Sequence, residues 1–129
     1  MTIGLDTSVV VRLLTGEPAS AARAAARRLE AAADTGERVV VCDLVVIETY
    51  HALHHHYGVP QSEARALLQR FLVSGVVHPE PGEIVPALTA TGAGLADHVI
   101  HARYRGLGAV TLTFDRRQGN LEGAVRLRG

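Results

Sequence analysis

The 129-residue chain is long enough for one domain with a real apolar core and too short for two. Acidic and basic residues balance at 13 each, which removes any global electrostatic case for nucleic-acid binding and leaves only local patches. All the basic residues are Arg, and aromatics make up only 4%, too few for a base-stacking platform. No apolar run approaches the roughly 20 residues of a membrane span, and the N-terminus has no basic region ahead of its apolar residues, so no signal peptide or membrane partner is expected. Cys42 is alone, which excludes an internal disulfide and fits a reducing cytoplasm. Its setting, Val39-Val40-Val41-Cys42, predicts a small buried hydrophobe inside a strand.

In chain order, Thr2 to Leu5 predicts a short buried strand. Ser8 to Leu14 reads as a helix ending at Gly16, and Pro18 opens an Ala-rich helix from Ala19 to Ala33 that Gly36 closes. Arg38 to Cys42 is β-branched and predicts a second strand. Asp43, as an N-cap, starts a helix running to Tyr57, with Gly58 as its stop. A further helix spans Pro60 to about Ser74, followed by a strand at Val76 to His78 and a short helix from Gly82 to Thr91. A Gly-rich loop leads to a helix from Leu95 to Tyr104, ending at Gly106. The remaining elements are a strand at Ala109 to Phe114, a turn region and a last strand at Ala124 to Leu127. Strands alternating with helices predict an α/β fold, a twisted and mainly parallel sheet covered on both faces.

The acids carry the chemical signal. Asp6 and Asp115 each follow a predicted strand, and in open parallel sheets the active crevice lies beyond the carboxyl ends of strands. Asp97 sits at a helix start, and Glu48 lies on the apolar stretch Leu44-Val45-Val46-Ile47, where an unpartnered buried charge is costly. Each has a plain structural alternative: Asp6 as a helix cap, Asp97 as a first-turn acid, Asp115 as a turn residue and Glu48 as a solvated helix position. Asp34 and Asp43 are read as a helix end and a helix cap. Helically spaced His residues do not make a closed zinc site without a Cys pair or HExxH. His54-His55-His56 is read as an exposed helix end, with His51 and His101 kept as supporting or RNA-contacting groups.

Four segments in order resemble one family. Ile3-Gly4-Leu5-Asp6-Thr7-Ser8, Asp43-Leu44-Val45-Val46-Ile47-Glu48, Gly94-Leu95-Ala96-Asp97 and Leu112-Thr113-Phe114-Asp115 together resemble the PIN-domain ribonucleases, and within them the VapC-type toxins of type II toxin–antitoxin systems. The resemblance covers the whole chain and implies a single PIN-like domain over residues 1–129, a three-layer α/β/α sandwich. It implies a Mg²⁺- or Mn²⁺-dependent endoribonuclease with Asp6, Glu48, Asp97 and Asp115 as catalytic acids. Asp6, Asp97 and Asp115 would hold the metal, with Thr113, Thr7 and Ser8 supporting them. Arg12, Arg116 and Arg117 follow the acids closely and are candidates for RNA phosphate contact. A homodimer and a VapB-type antitoxin are the implied protein partners. Two departures stand out: Arg117 occupies a position where many relatives carry a further acid, which counts against a second tightly held metal, and His101 replaces a residue commonly small and apolar. The alternatives are a catalytically silent PIN-fold interaction subunit and a phosphatase-type phosphoryl-transfer domain. The latter normally places a Lys near the phosphate, and this chain has none.

Overall fold

The computed structural model describes residues 1–129, in five strands, six α-helices and one short 3₁₀ turn. The chain divides into two compact units, Met1–Val85 and Pro86–Gly129. All strand pairing is parallel, and the fold class is the α/β one expected from the alternation of elements. No helix is long and apolar enough to cross a membrane.

In the first unit, β1 (Thr2–Gly4), β2 (Arg38–Cys42) and β3 (His78–Glu80) form a sheet in that order. β2 lies centrally because its side chains supply the core: Val39 and Val41 are buried on one phase of the strand repeat. Cys42 falls on the opposite phase and is exposed, so the expected buried thiol is corrected by a one-residue shift of face. The third strand lies two residues later than the β-branched pair Val76-Val77 suggests. Its position follows the register Val40↔His78 and Cys42↔Glu80, and the edge of the sheet tolerates Pro79, which has no N–H to donate.

The helices of this unit are α1 (Thr7–Thr15), α2 (Ala19–Thr35), α3 (Asp43–His56) and α4 (Gln61–Leu72). α1 packs on α2 and α3, and α3 also packs on α4. Gly16 and Gly36 end the first two helices at φ +71°, the left-handed conformation that glycine adopts without a Cβ penalty. Val45, Val46, Thr49, Tyr50 and Leu53 place the inner face of α3 in the core, which leaves Glu48 exposed. The N-cap of α3 is Cys42, one residue earlier than expected. Asp43 becomes the first helical residue, buried, with Oδ1 accepting the Leu44 N–H at 2.8 Å.

The second unit holds α5 (Ile84–Thr89, which begins just ahead of it), α6 (Leu95–Gly106), β4 (Thr111–Thr113) and β5 (Ala124–Arg126). β4 inverts the usual alternation: Val110, Leu112 and Phe114 are exposed, while Thr111 is buried and Thr113 half-buried. Polar residues turn inward because hydrogen-bond partners wait there. His101 of α6 is the main one. A carbonyl only accepts, so Nε2–H donates to the Glu122 carbonyl at 2.6 Å, and Nδ1 then accepts from the Thr111 hydroxyl at 2.8 Å. The departure at His101 is thereby explained: it ties α6 to β4 and to the turn ahead of β5.

Candidate active site

Asp6 lies two residues beyond β1 and occupies the N-cap position of α1, yet its side chain makes no capping bond. The Ser8 hydroxyl reaches Asp6 Oδ2 only at 3.5 Å, the long limit of a hydrogen bond. Beside it the Thr7 hydroxyl donates to Glu48 Oε1 at 3.1 Å, bringing α1 and α3 together. The first turn of α1 therefore restrains two of the four acids within the first unit through adjacent hydroxyls.

In the second unit, Gly94 caps α6 at its N-terminus and places Asp97 in the first turn, with Asp97 Oδ2 close above Gly94. The Asp97 carboxylate makes no hydrogen bond or ion pair. Asp115 lies two residues beyond β4, the same offset that Asp6 has from β1. Its N–H donates to Thr113 Oγ1 at 3.0 Å, and its Oδ1 accepts the Gln118 N–H at 2.9 Å. That is the turn geometry weighed from sequence, but it engages one carboxylate oxygen and leaves Oδ2 without a partner. Gln118 is buried and accepts from the Thr113 hydroxyl at 3.1 Å, while its Nε2 reaches the Asp97 carbonyl at 3.4 Å. Sequence reasoning missed Gln118, since no motif marks a lone Gln three residues after a strand-end Asp.

None of the four acids pairs with an Arg. Ion pairs lie elsewhere, Arg28 with Glu37 and Arg38 with Glu80, each at 3.2 Å. The three candidate phosphate contacts differ. Arg12 is half-buried and donates to the Ser8 carbonyl at 2.9 Å, Arg117 donates through Nε to the Gly92 carbonyl at 3.2 Å, and Arg116 is exposed. The His cluster is a helix end. His54 Nδ1 contacts the Val59 carbonyl at 2.9 Å, and His51 stacks on His55 with ring centroids 5.8 Å apart.

The donor set is all oxygen, hard and anionic, which suits Mg²⁺ or Mn²⁺ better than zinc. Within neither unit do three His, Cys, Asp or Glu side chains gather closely enough to hold an ion by themselves. Mg²⁺ commonly takes one or two protein carboxylates and completes its shell with water and phosphate oxygens, so the pairs fit such a cation chemically.

Asp6 and Asp115 lie just beyond the carboxyl ends of parallel strands, where ligands bind in open α/β sheets. A family model for the PIN domain matches residues 3–124, and the chain belongs to that family. PIN domains are generally nucleases that use divalent metals. No curated protein and no solved structure gives a significant match to the chain.

Proposed function

We propose that this chain, as a single PIN domain over its 129 residues, is a Mg²⁺- or Mn²⁺-dependent endoribonuclease. It hydrolyses RNA phosphodiester bonds, and its biological role is the toxin of a toxin–antitoxin pair in the cytoplasm. The observation that carries the reading is the family match over residues 3–124 in a chain whose four motif acids are all left without a cationic partner. A silent descendant has no reason to keep all four of Asp6, Glu48, Asp97 and Asp115, with hydroxyls beside three of them.

In this reading Asp6, Asp97 and Asp115 would hold the cation. When bound, it would lower the pKa of a water and offset charge on the phosphoryl oxygens. The chain's own residues do the rest. Glu48, held by the Thr7 hydroxyl, orients the attacking water, and its carboxylate is available to take that water's proton. Ser8 and Thr113 restrain Asp6 and Asp115. Arg116, exposed beside Asp115, offsets the acidic surface and meets an RNA phosphate; Arg12 and Arg117 contribute by reorienting from their carbonyl contacts.

Protein partners follow from apolar surface. Val110, Leu112 and Phe114 form an exposed apolar row along β4 and its two flanking positions, with Val125 beside Leu112 in the register of β5. In the first unit, an apolar cavity of about 410 Å³ opens between α1 and α2, with Arg12 and Arg28 among its lining residues. Such surfaces support both a second copy of the chain and a VapB-type antitoxin as partners. The test is cleavage of structured RNAs by purified protein with Mg²⁺, with Mn²⁺ and with chelator. Cutting restored by either ion and abolished by chelator is expected; cutting insensitive to chelator contradicts the proposal.

A further inference from the structure

We infer that Gln118 is a positioning residue that locks Asp97 and Asp115 to one another. The inference rests on the proposed nuclease site and deepens it. Its basis is a closed ring of hydrogen bonds within the second unit. The Asp115 N–H donates to Thr113 Oγ1 at 3.0 Å, the Thr113 hydroxyl donates to Gln118 Oε1 at 3.1 Å, and the Gln118 N–H donates back to Asp115 Oδ1 at 2.9 Å. From this ring the Gln118 amide extends one further contact, Nε2 to the Asp97 carbonyl at 3.4 Å. The orientation of the amide is fixed by chemistry, because the Asp97 carbonyl only accepts and so takes the NH₂ end, which leaves the oxygen for the Thr113 hydroxyl.

Burial gives the ring its force. Gln118 is 7% exposed, so neither end of its amide has ready access to water as a substitute partner. Thr113 Oγ1 is used twice, as acceptor and as donor, which sets its rotamer and the backbone of the turn together. The result is selective. One oxygen of Asp115 is held, its other oxygen is left without a partner, and the Asp97 carboxylate is engaged by nothing. An apolar side chain of this size would fill the same space but would leave the Thr113 hydroxyl and the Asp97 carbonyl without this partner. The amide is what ties the strand-end turn to the first turn of α6.

The roll of α6 is fixed from a second point. His101 stands one helical turn after Asp97 on the same face, and its bonds to Thr111 and the Glu122 carbonyl fasten that face to β4. Gln118 sets the position of the Asp97 turn, and His101 sets the direction in which that turn faces.

The experiment measures Mn²⁺ affinity by electron paramagnetic resonance, RNA cleavage, and thermal unfolding for wild type, Gln118→Met, Thr113→Val, their double variant and Thr113→Ser. Gln118→Met keeps volume and removes the amide. The expected result is a loss of tenfold or more in Mn²⁺ affinity and in kcat with KM little changed. The two lesions should be partly non-additive because they share one bond, that from the Thr113 hydroxyl to Gln118, and Thr113→Ser, which keeps the hydroxyl, should bind Mn²⁺ as wild type does. A lowered melting temperature with unchanged Mn²⁺ affinity and kcat overturns the inference and leaves Gln118 a packing residue. If Gln118→Met does not fold, Thr113→Val against Thr113→Ser decides by the same readouts. Failure of the nuclease reading itself is seen in the wild type alone, as no Mn²⁺ binding and no cleavage.

Discussion

Replacing His101 by Leu tests the polar interior of the second unit. The side chain is buried, and the substitution removes two hydrogen bonds of 2.8 and 2.6 Å while roughly keeping volume. Each bond contributes about 1 kcal/mol, and leaving the buried Thr111 hydroxyl and the Glu122 carbonyl without their partner adds roughly 1 more, for a loss of about 3 kcal/mol. For a chain of this length that is a fall of roughly 10 °C in Tm. The assay is urea unfolding of wild type, His101→Leu, Thr111→Val and the double variant. The double should be less damaged than the sum of the singles by about 1 kcal/mol, because removing both partners of one bond strands neither. A His101→Leu protein within about 0.5 kcal/mol of wild type, the spread ordinary for surface substitutions, would refute the account of this residue.

Two further outcomes are expected. Thr49 on α3 is fully buried and its hydroxyl has no partner, so Thr49→Val should be neutral or stabilise by up to about 1 kcal/mol in the same assay; a clear loss would mean the hydroxyl has a role in the fold. The Glu37 carboxyl is held below the ordinary glutamate range by its hydrogen bond from Arg28, with the Thr35 hydroxyl adding to this and burial opposing it. A lowered folded pKa gives stability that is present above the unfolded value, about 4.3, and lost as pH falls through the folded value. Relative to wild type, Glu37→Gln should therefore be less stable at neutral pH, and the gap should close below pH about 4. A gap constant with pH would contradict that sign.

Much of the fold was legible where the pattern was local. The Ala-rich helix, its stop at Gly36 and the strand from Arg38 to Cys42 are dictated by propensity, a left-handed cap and β-branching, and each appears where these place it. The strand at His78–Glu80 was displaced because register with β2 outweighs the local preference of Val76 and Val77. Cys42 was misread because a run of apolar residues hides its phase, and only pairing reveals which face is inward. In the candidate site, the placement of Asp6 and Asp115 after strands was readable, although each strand stops one residue earlier than expected. The roles of His101 and Gln118 were not, since the partners of His101 lie 10 and 21 residues away and Gln118 reaches Asp97 across 21. Long-range hydrogen bonds leave no periodic trace in a sequence.

The central claim is that the proposed acids serve a cation-dependent cleavage of RNA. The most direct measurement is the cleavage rate of a structured RNA with Mn²⁺ by wild type, Asp6→Asn and Asp97→Asn, each checked for wild-type circular dichroism. Asp6 lies in the first unit and Asp97 in the second, and the substitution keeps shape while removing charge. The account predicts that each variant alone loses activity by a hundredfold or more. Cleavage by either variant at the wild-type rate would contradict it.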